Sequence, residues 1–221
     1  MTGNTPPFQI LPVAPSGRSE LLELFVGLFH DREPLTRIIG LSRERMISVA
    51  NAMHSGSAND PLSQGLSWIV RDTANGDRAV AFVVCDDPLV TGGETLPDDL
   101  TESELKKVEV LGAFLNAIRL PLPERVAWRP GACLHIAALG VAPGYEGRGI
   151  ATRLLETVLA EARRRGFQNA FAECTGPASR ACHERCGFKC VHSVSADAFE
   201  HEGARPLQGN DLVVDLMVRT F

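Results

Sequence analysis

The feature that most constrains the fold is a strand–turn–helix pattern in the C-terminal half of the chain. Cys133 to Val141 is a nearly continuous apolar run, which is typical of a strand buried on both faces. A Gly-rich turn follows over Pro143 to Gly149, and apolar residues then recur at helical spacing as far as Arg165. Backbone N–H groups at such a helix N-terminus lack helical partners and point towards an anion. The pattern predicts an α/β fold with a phosphate-binding turn.

The rest of the chain shows further helical and extended patterns, with neither an internal repeat nor a domain linker. We therefore expect a single domain, residues 1–221. Besides the helix after the turn, helices are predicted near 19–29, 42–54, 102–118 and 177–185. Besides the strand before the turn, strands are predicted at 8–13, 66–71, 79–85, 169–174, 188–194 and 212–218, with loops at 55–64, 86–101 and 121–130.

Composition excludes several classes of partner. The net charge is −5 with 44% hydrophobic residues, so the basic surplus of a nucleic-acid-binding protein is missing and no nucleic-acid partner is expected. No apolar run reaches the length of a membrane span, so no membrane partner is expected. The segment Met1 to Pro7 lacks the layout of a signal peptide, which favours a cytoplasmic location.

Four of the six cysteines cluster around His183, which raises the question of a metal site. Cys182, Cys186 and Cys190 are spaced by four residues rather than in Cys-x-x-Cys pairs, the spacing that zinc sites prefer. Free cysteine is commonly buried as a small apolar side chain. We therefore expect free thiols and no metal.

The turn holds a Gly-x-Gly pair, Gly147 and Gly149, which by itself is weak evidence because tight turns also use glycine structurally. No Lys-Ser/Thr follows, so the turn is not a nucleoside-triphosphate P-loop. The third glycine of a dinucleotide fingerprint is also missing.

The segment from Leu139 to Ala151, LGVAPGYEGRGIA, resembles the acetyl-CoA signature of the GNAT superfamily of N-acetyltransferases. That signature is Gln/Arg-x-x-Gly-x-Gly/Ala after a strand ending in Val-x-Pro. Downstream, Cys186-Gly187-Phe188 resembles the superfamily's Gly-Phe before the sixth strand. Glu146 departs from the pattern, which usually has Gln or Arg there. The resemblance implies a mixed, mostly antiparallel central sheet with helices on both faces.

The resemblance also implies acetyl-CoA as the acetyl donor. Backbone amides of the turn would bind its pyrophosphate, and a backbone N–H of a bulged fourth strand would polarise its carbonyl group. His183 would line the coenzyme channel. Superfamily members often form homodimers, and that alternative stays open. The coenzyme-binding residues implied are Leu139, Gly140, Val141, Glu146, Gly147, Arg148, Gly149, Ile150, Ala151 and His183.

A second resemblance, to the insect and nematode arylalkylamine N-acetyltransferases, concerns the segments 31–35 and 175–179. It implies that Glu33 is the general base, usually acting through water. The alternative is a solvated carboxylate or an ion pair with Arg32 or Arg37. An apolar slot for the ring of an aromatic amine is expected beside Glu33, although the same side chains suit core packing: Phe25, Leu28, Phe29 and Leu35.

His135 is the second candidate base, because vertebrate serotonin N-acetyltransferases resemble this strand and carry a histidine at its position. By strand parity it shares a side with Ala137 and Leu139. An imidazole accepts a proton near neutral pH. The alternative is a core histidine whose hydrogen bonds are satisfied.

At the position of the acid that would protonate the leaving thiolate, this chain differs from the superfamily. Its usual tyrosine is replaced by His183, and the only tyrosine, Tyr145, lies in the turn. Ser179 and His183 remain candidates to hydrogen-bond the departing sulfur.

We therefore expect an acetyl-CoA-dependent N-acetyltransferase that acts on a primary amine of a small molecule by direct attack in a ternary complex. Two alternatives stay open. One is a non-catalytic acyl-CoA-binding module, and the other is an acetyltransferase acting on a protein or peptide amine.

Overall fold

A computed structural model describes residues 8–54, 60–90 and 96–221. The expectations for residues 1–7, and for parts of the 55–64 and 86–101 loops, lie outside these ranges. The strands are β1 (Phe8–Pro12), β2 (Trp68–Asp72), β3 (Arg78–Asp86), β4 (Cys133–Val141), β5 (Asn169–Cys174), β6 (Lys189–Ser195) and β7 (Val213–Thr220). The helices are α1 (Arg18–Arg32), α2 (Pro34–Ile39), α3 (Arg43–Met53), α4 (Glu102–Arg119), α5 (Leu122–Arg125), α6 (Ile150–Arg164) and α7 (Pro177–Arg185).

The described strands form one sheet of seven in the order β1-β2-β3-β4-β5-β7-β6. The pairing of β4 with β5 is parallel, and the other five pairs are antiparallel. The predicted mixed, mostly antiparallel sheet is confirmed.

Helices cover both faces of the sheet, as predicted. On one face, α6 and α7 pack on the strands through the apolar stripe of α6, which is fully buried. On the other face, α1 and α3 cover β3 and β4, while α2 and α4 cover the half formed by β5 and β7. Among the described residues, no helix is both long and apolar enough to cross a membrane.

The helical conformation is interrupted between α1 and α2, at the position where the sequence predicts it. Pro34 disfavours helical geometry at Glu33, which is extended with ψ 123°. Proline is well suited to the first position of a helix, so α2 begins there, and it ends at Gly40 with φ +65°. The sequence did not indicate α2 or the short α5, because single turns carry too little periodicity to recognise.

Candidate active site

The site begins where β4 and β5 separate. The two strands pair only over Cys133–His135 and Asn169–Phe171, and beyond these residues they diverge. We call the opening between them the fork. The first half of β4 is buried, as predicted, but Leu139–Val141 is only half-buried because β5 no longer covers it.

A β-bulge interrupts β4 at the mouth of the fork. Val84 of β3 pairs with Ala138 and its neighbour Cys85 pairs with Ile136, so Ala137 is an extra residue in β4. A bulge adds one residue to the strand and therefore reverses which face the later side chains take.

The expectation that His135 shares a face with Leu139 is wrong for this reason. Leu134 and Ile136 pack on the α6 side, and Leu139, three residues after Ile136, packs there too. His135 points to the opposite face, towards α4.

The backbone of β4 beyond the bulge offers hydrogen-bond donors to the fork. The N–H of Ala142 donates to Val80 of β3 at 2.8 Å. Backbone groups alternate between the two edges of a strand, so the N–H groups of Leu139 and Val141 point away from β3, into the fork.

Gly140 of β4 is closely packed against side chains of the core. A Cβ at this position would lie 2.6 and 2.9 Å from ring atoms of Phe82 and 3.1 Å from Leu28. A glycine here lets α1 pack closely on β3 and β4, whatever its backbone binds.

The Gly-rich turn leads directly into α6. Gly144, Gly147 and Gly149 have φ of +82°, +74° and +72°, a conformation that side chains other than glycine rarely adopt. Gly149 is the N-cap of α6, and as a glycine it has no side chain to cap the helix. The first N–H groups of α6, from Ile150 and Ala151, are thus presented towards an incoming anion.

Side chains of the turn brace it against the sheet. The Tyr145 hydroxyl donates to Asp72 at 3.0 Å and accepts from Asn75 at 3.1 Å. Arg148 donates to the Gly144 carbonyl at 2.7 Å and lies 5.0 Å from the centre of the Tyr145 ring. The Arg148 side chain is therefore engaged within the turn.

Glu146 joins the turn to α1. Its Oε1 accepts from Nη2 of Arg32 at 2.8 Å, and its Oε2 accepts from the Gly144 N–H at 2.7 Å. Hydrogen bonds from backbone N–H groups and from Arg32 lower the pKa of Glu146, so it is a carboxylate at neutral pH.

Glu33 caps α2. Its carboxylate accepts from the backbone N–H groups of Leu35 at 3.1 Å and Thr36 at 2.5 Å. The alternative ion pair with Arg32 is not formed, because Arg32 pairs with Glu146. Glu33 follows α1 directly, so it lies beside the turn, on the α1 side of the sheet.

His135 lies in a buried cluster of charged side chains, which we call the charged cluster. Its Nδ1 is 2.8 Å from Asp86 and its Nε2 is 3.0 Å from Glu173. Arg119, the last residue of α4, pairs with the same Glu173 carboxylate. The imidazole stacks on Phe171, with ring centres 4.6 Å apart.

The cluster favours a protonated His135. Burial lowers the pKa of His135, and Arg119 opposes protonation, but Glu173 and Asp86 outweigh both and the net shift is upward. For Glu173, burial raises the pKa, but the positive charges of His135 and Arg119 outweigh burial and lower the pKa to about 2. A protonated imidazole cannot accept a proton, so this arrangement favours the alternative of a satisfied buried histidine.

Ser179 and His183 lie one turn apart in α7. The Ser179 hydroxyl donates to Sγ of Cys174 at 3.2 Å, and Nδ1 of His183 donates to the Ser179 carbonyl at 2.9 Å. Burial lowers the pKa of His183. Its Nε2 is buried and lacks a hydrogen-bond partner among the described residues.

The cysteines are free thiols, as predicted, and all except Cys190 are buried. Burial raises the pKa of Cys174 to about 12, which makes it a poor nucleophile. In the described ranges, three ligand-type side chains approach within 4.8 Å at the surface group Glu109, His201 and Glu202, away from the cysteines.

The four side chains expected to form an aromatic slot are divided between two parts of the core. Phe25 and Phe29 each pack on Phe82, with ring centres 5.9 Å apart, and Leu28 lies in the same cluster. Leu35 belongs to the other cluster, under α4. The core-packing alternative describes these residues better.

Sequence reasoning missed Asp86, Arg119 and Glu173, the partners of His135. One signal was available, since Glu173 is a lone acid inside an otherwise apolar strand segment and a buried charge requires a partner. The identity of that partner depends on tertiary structure.

Residues 108–188 match the acetyltransferase (GNAT) family. The fold is similar to the C-terminal condensation domain of Ebony, solved with beta-alanyl-dopamine, at 19% identity and a TM-score of 0.79 over 97% of this chain and 99% of that one. It is also similar to mosquito arylalkylamine N-acetyltransferase like 5b, at 14% identity and a TM-score of 0.71 over 97% and 100% of the two chains.

A third similar structure is the Drosophila melanogaster polyamine N-acetyltransferase, which catalyses the formation of N-acetylagmatine. It is 19% identical, with a TM-score of 0.67 over 97% of this chain and 100% of that one. At such identities these likenesses show a shared fold. The family match covers β4, the turn, α6 and the segment up to Phe188. The match shows an acetyltransferase (GNAT) segment at residues 108–188, and the whole chain has the fold of the N-acetyltransferases to which it is similar.

Proposed function

We propose that the protein, acting as one domain over residues 1–221, transfers an acetyl group from acetyl-CoA to a primary amine of a small molecule by direct attack in a ternary complex. The observation that carries this proposal is the fork. Free backbone donors on β4 and an uncapped helix N-terminus at α6 lie next to each other along one stretch of chain.

On the coenzyme side, the donors are backbone groups. The N–H groups from Gly147 to Ala151 suit a pyrophosphate, because they combine unpaired donors with the positive end of the α6 dipole. The N–H groups of Leu139 and Val141 point into the fork and suit the thioester carbonyl oxygen. Acetyl-CoA supplies the activated acetyl group.

On the amine side, we assign the general base to Glu33. It is half-buried, and its neighbour Arg32 contacts Glu146 of the turn. The same carboxylate caps α2, and this fixes its position. His135 is the less suitable base, because both ring nitrogens already face carboxylates.

At the leaving sulfur, we assign the contact to Ser179 rather than His183. The Nδ1 proton of His183 is used by a backbone carbonyl, and its lowered pKa leaves Nε2 unprotonated. Ser179 carries a proton that already reaches a sulfur atom, that of Cys174.

The fold neighbours include proteins for arylalkylamines and polyamines, which supports a small amine as the acceptor. Because the expected slot residues pack in the core, the structure gives no preference for an aromatic ring over a polyamine chain. The resemblance of segments 31–35 and 175–179 supports the arylalkylamines.

The test combines binding with turnover. Calorimetry should detect coenzyme A binding, and release of free thiol from acetyl-CoA should accelerate with a primary amine. A kcat/KM ranking over phenethylamine, tyramine, agmatine, spermidine and a peptide N-terminus identifies the acceptor class, and aromatic amines should rank first. Absence of coenzyme A binding would refute the proposal. Binding without turnover on any amine would establish the non-catalytic alternative.

A further inference from the structure

Glu146 places a negative charge where the proposed function requires an anion to bind. It lies in the turn, one residue before Gly147, and its carboxylate is ionised. Like charges repel most strongly where water is partly excluded. A coenzyme-binding turn with this residue therefore needs a compensating positive charge.

The structure supplies that charge from a distant segment. Arg32 donates to Glu146 at 2.8 Å although 114 residues separate them in the chain. The side chains are 48% and 45% exposed. Pairs this exposed contribute only about 0–1 kcal/mol to folding, so stability is a poor explanation for the contact.

The chemistry of arginine suits a second partner. A guanidinium carries five N–H donors in a planar fork that matches phosphate oxygens. One donor, on Nη2, holds Glu146. The planar group has further N–H donors that can bind a phosphate while Nη2 holds the carboxylate.

We propose that Arg32 is a binding residue for the pyrophosphate of acetyl-CoA, oriented by Glu146. Resting on the proposed function, this inference adds a side chain from α1 to a site otherwise made of backbone amides. The pair Arg32–Glu146 takes over the position that the superfamily signature gives to Gln or Arg. Because Glu33 is the next residue, coenzyme binding also fixes the segment that carries the proposed base.

The experiment measures the affinity for coenzyme A and for pantetheine, which lacks the pyrophosphate, by calorimetry. Arg32→Ala should weaken coenzyme A binding by about tenfold or more, since a charge-assisted hydrogen bond is lost and Glu146 is left uncompensated. Pantetheine affinity should not change. The loss should shrink in high salt, which screens exposed charges.

Three further variants sharpen the test. Glu146→Gln should bind coenzyme A at least as tightly as the parent protein. Arg32→Ala combined with Glu146→Gln should lose less affinity than Arg32→Ala alone. Arg37→Ala, which removes the same charge from the exposed surface of α2, is the matched control and should leave both affinities unchanged.

The outcomes separate this inference from the proposed function. If the parent protein binds coenzyme A and Arg32→Ala binds it equally well, the inference is overturned and the acetyltransferase proposal stands. An equal loss of pantetheine affinity would also overturn it, because the effect would then come from local structure. If the parent protein does not bind coenzyme A, the proposed function itself fails.

Discussion

The two sides of the fork are built in different ways. Apart from Arg32, the proposed coenzyme side consists of backbone N–H groups from β4, the turn and α6, which are continuous in sequence over residues 133–164. The proposed base on the amine side is a side chain, Glu33 at the end of α1. The charged cluster is likewise made of side chains, drawn from β3, α4, β4 and β5. One side is made by local conformation and the other by tertiary assembly.

This difference has consequences for substitution. A site made of backbone groups tolerates changes of side chain wherever the backbone conformation survives. A site made of side chains fails when a single functional group is lost. The following predictions test whether the two sides differ in this way.

The largest effect is expected at Glu33. Glu33→Gln preserves size but removes proton acceptance, so kcat/KM for the amine should fall by about 10²–10⁴. Coenzyme A affinity should stay within about twofold, because neutral surface substitutions change free energies by less than about 0.5 kcal/mol. The loss should shrink at high pH, where the amine arrives already deprotonated. Steady-state kinetics from pH 6 to about 10 measures this.

Asp31→Asn is the control, because it removes an exposed carboxylate two residues away. Since Glu33 also caps α2, the thermal midpoint of each variant must be measured too. Unchanged kinetics across pH in Glu33→Gln would reassign this residue to capping alone.

The next effect concerns stability. His135→Gln leaves Asp86 and Glu173 buried without their shared cation, and breaking a buried ion pair in this way costs about 3–5 kcal/mol. Urea unfolding of the parent and the variant measures the difference. His192→Gln, on the edge strand β6 and outside the charged cluster, should change stability little. A change below about 0.5 kcal/mol at His135 would show that the cluster is not paired as described.

The charged cluster also predicts a pH dependence of stability. The raised pKa of His135 contributes stability that is fully present below the ordinary value of 6.5. This stability is lost as pH rises through the pKa of His135 in the folded protein. The lowered pKa of Glu173 contributes stability that is fully present above the ordinary value of 4.5. This stability is lost as pH falls through about 2. The cluster should stabilise most between pH 4.5 and 6.5. In His135→Gln, the decline in stability at pH values above this window should disappear.

The smallest effect is expected at Arg148, in the turn. Arg148→Ala should change coenzyme A affinity by about twofold or less, because its guanidinium hydrogen-bonds within the turn and the proposed ligands other than Arg32 are backbone groups. Gly149→Val is the contrasting variant, since a β-branched residue is strained at φ +72° and should abolish binding. A large loss in Arg148→Ala would contradict a backbone-built coenzyme site.

The sequence predicted the coenzyme half closely, and the bounds of β4 agree with the expected run from Cys133 to Val141. Hydrophobic periodicity and glycine positions indicate local conformation, and the coenzyme half is formed by consecutive residues of the chain. On the amine side the sequence predicted the break at Glu33, from Pro34 alone. It placed His135 on the wrong face, because the bulge at Ala137 arises from pairing with β3 and leaves no mark in β4 itself.

What the sequence determined by itself is therefore the individual strands, the turn and the family resemblance, which in turn implied the mixed sheet. The strands and the turn rest on neighbouring residues whose backbone geometry is fixed by short-range sterics. What only the tertiary structure decided is the set of charge partners. Arg119 and Asp86 reach His135 and Glu173 from segments that are remote in sequence, and Arg32 reaches Glu146 across 114 residues. Coulomb attraction carries no periodicity that a sequence can display, so these pairs become visible only when packing brings the segments together.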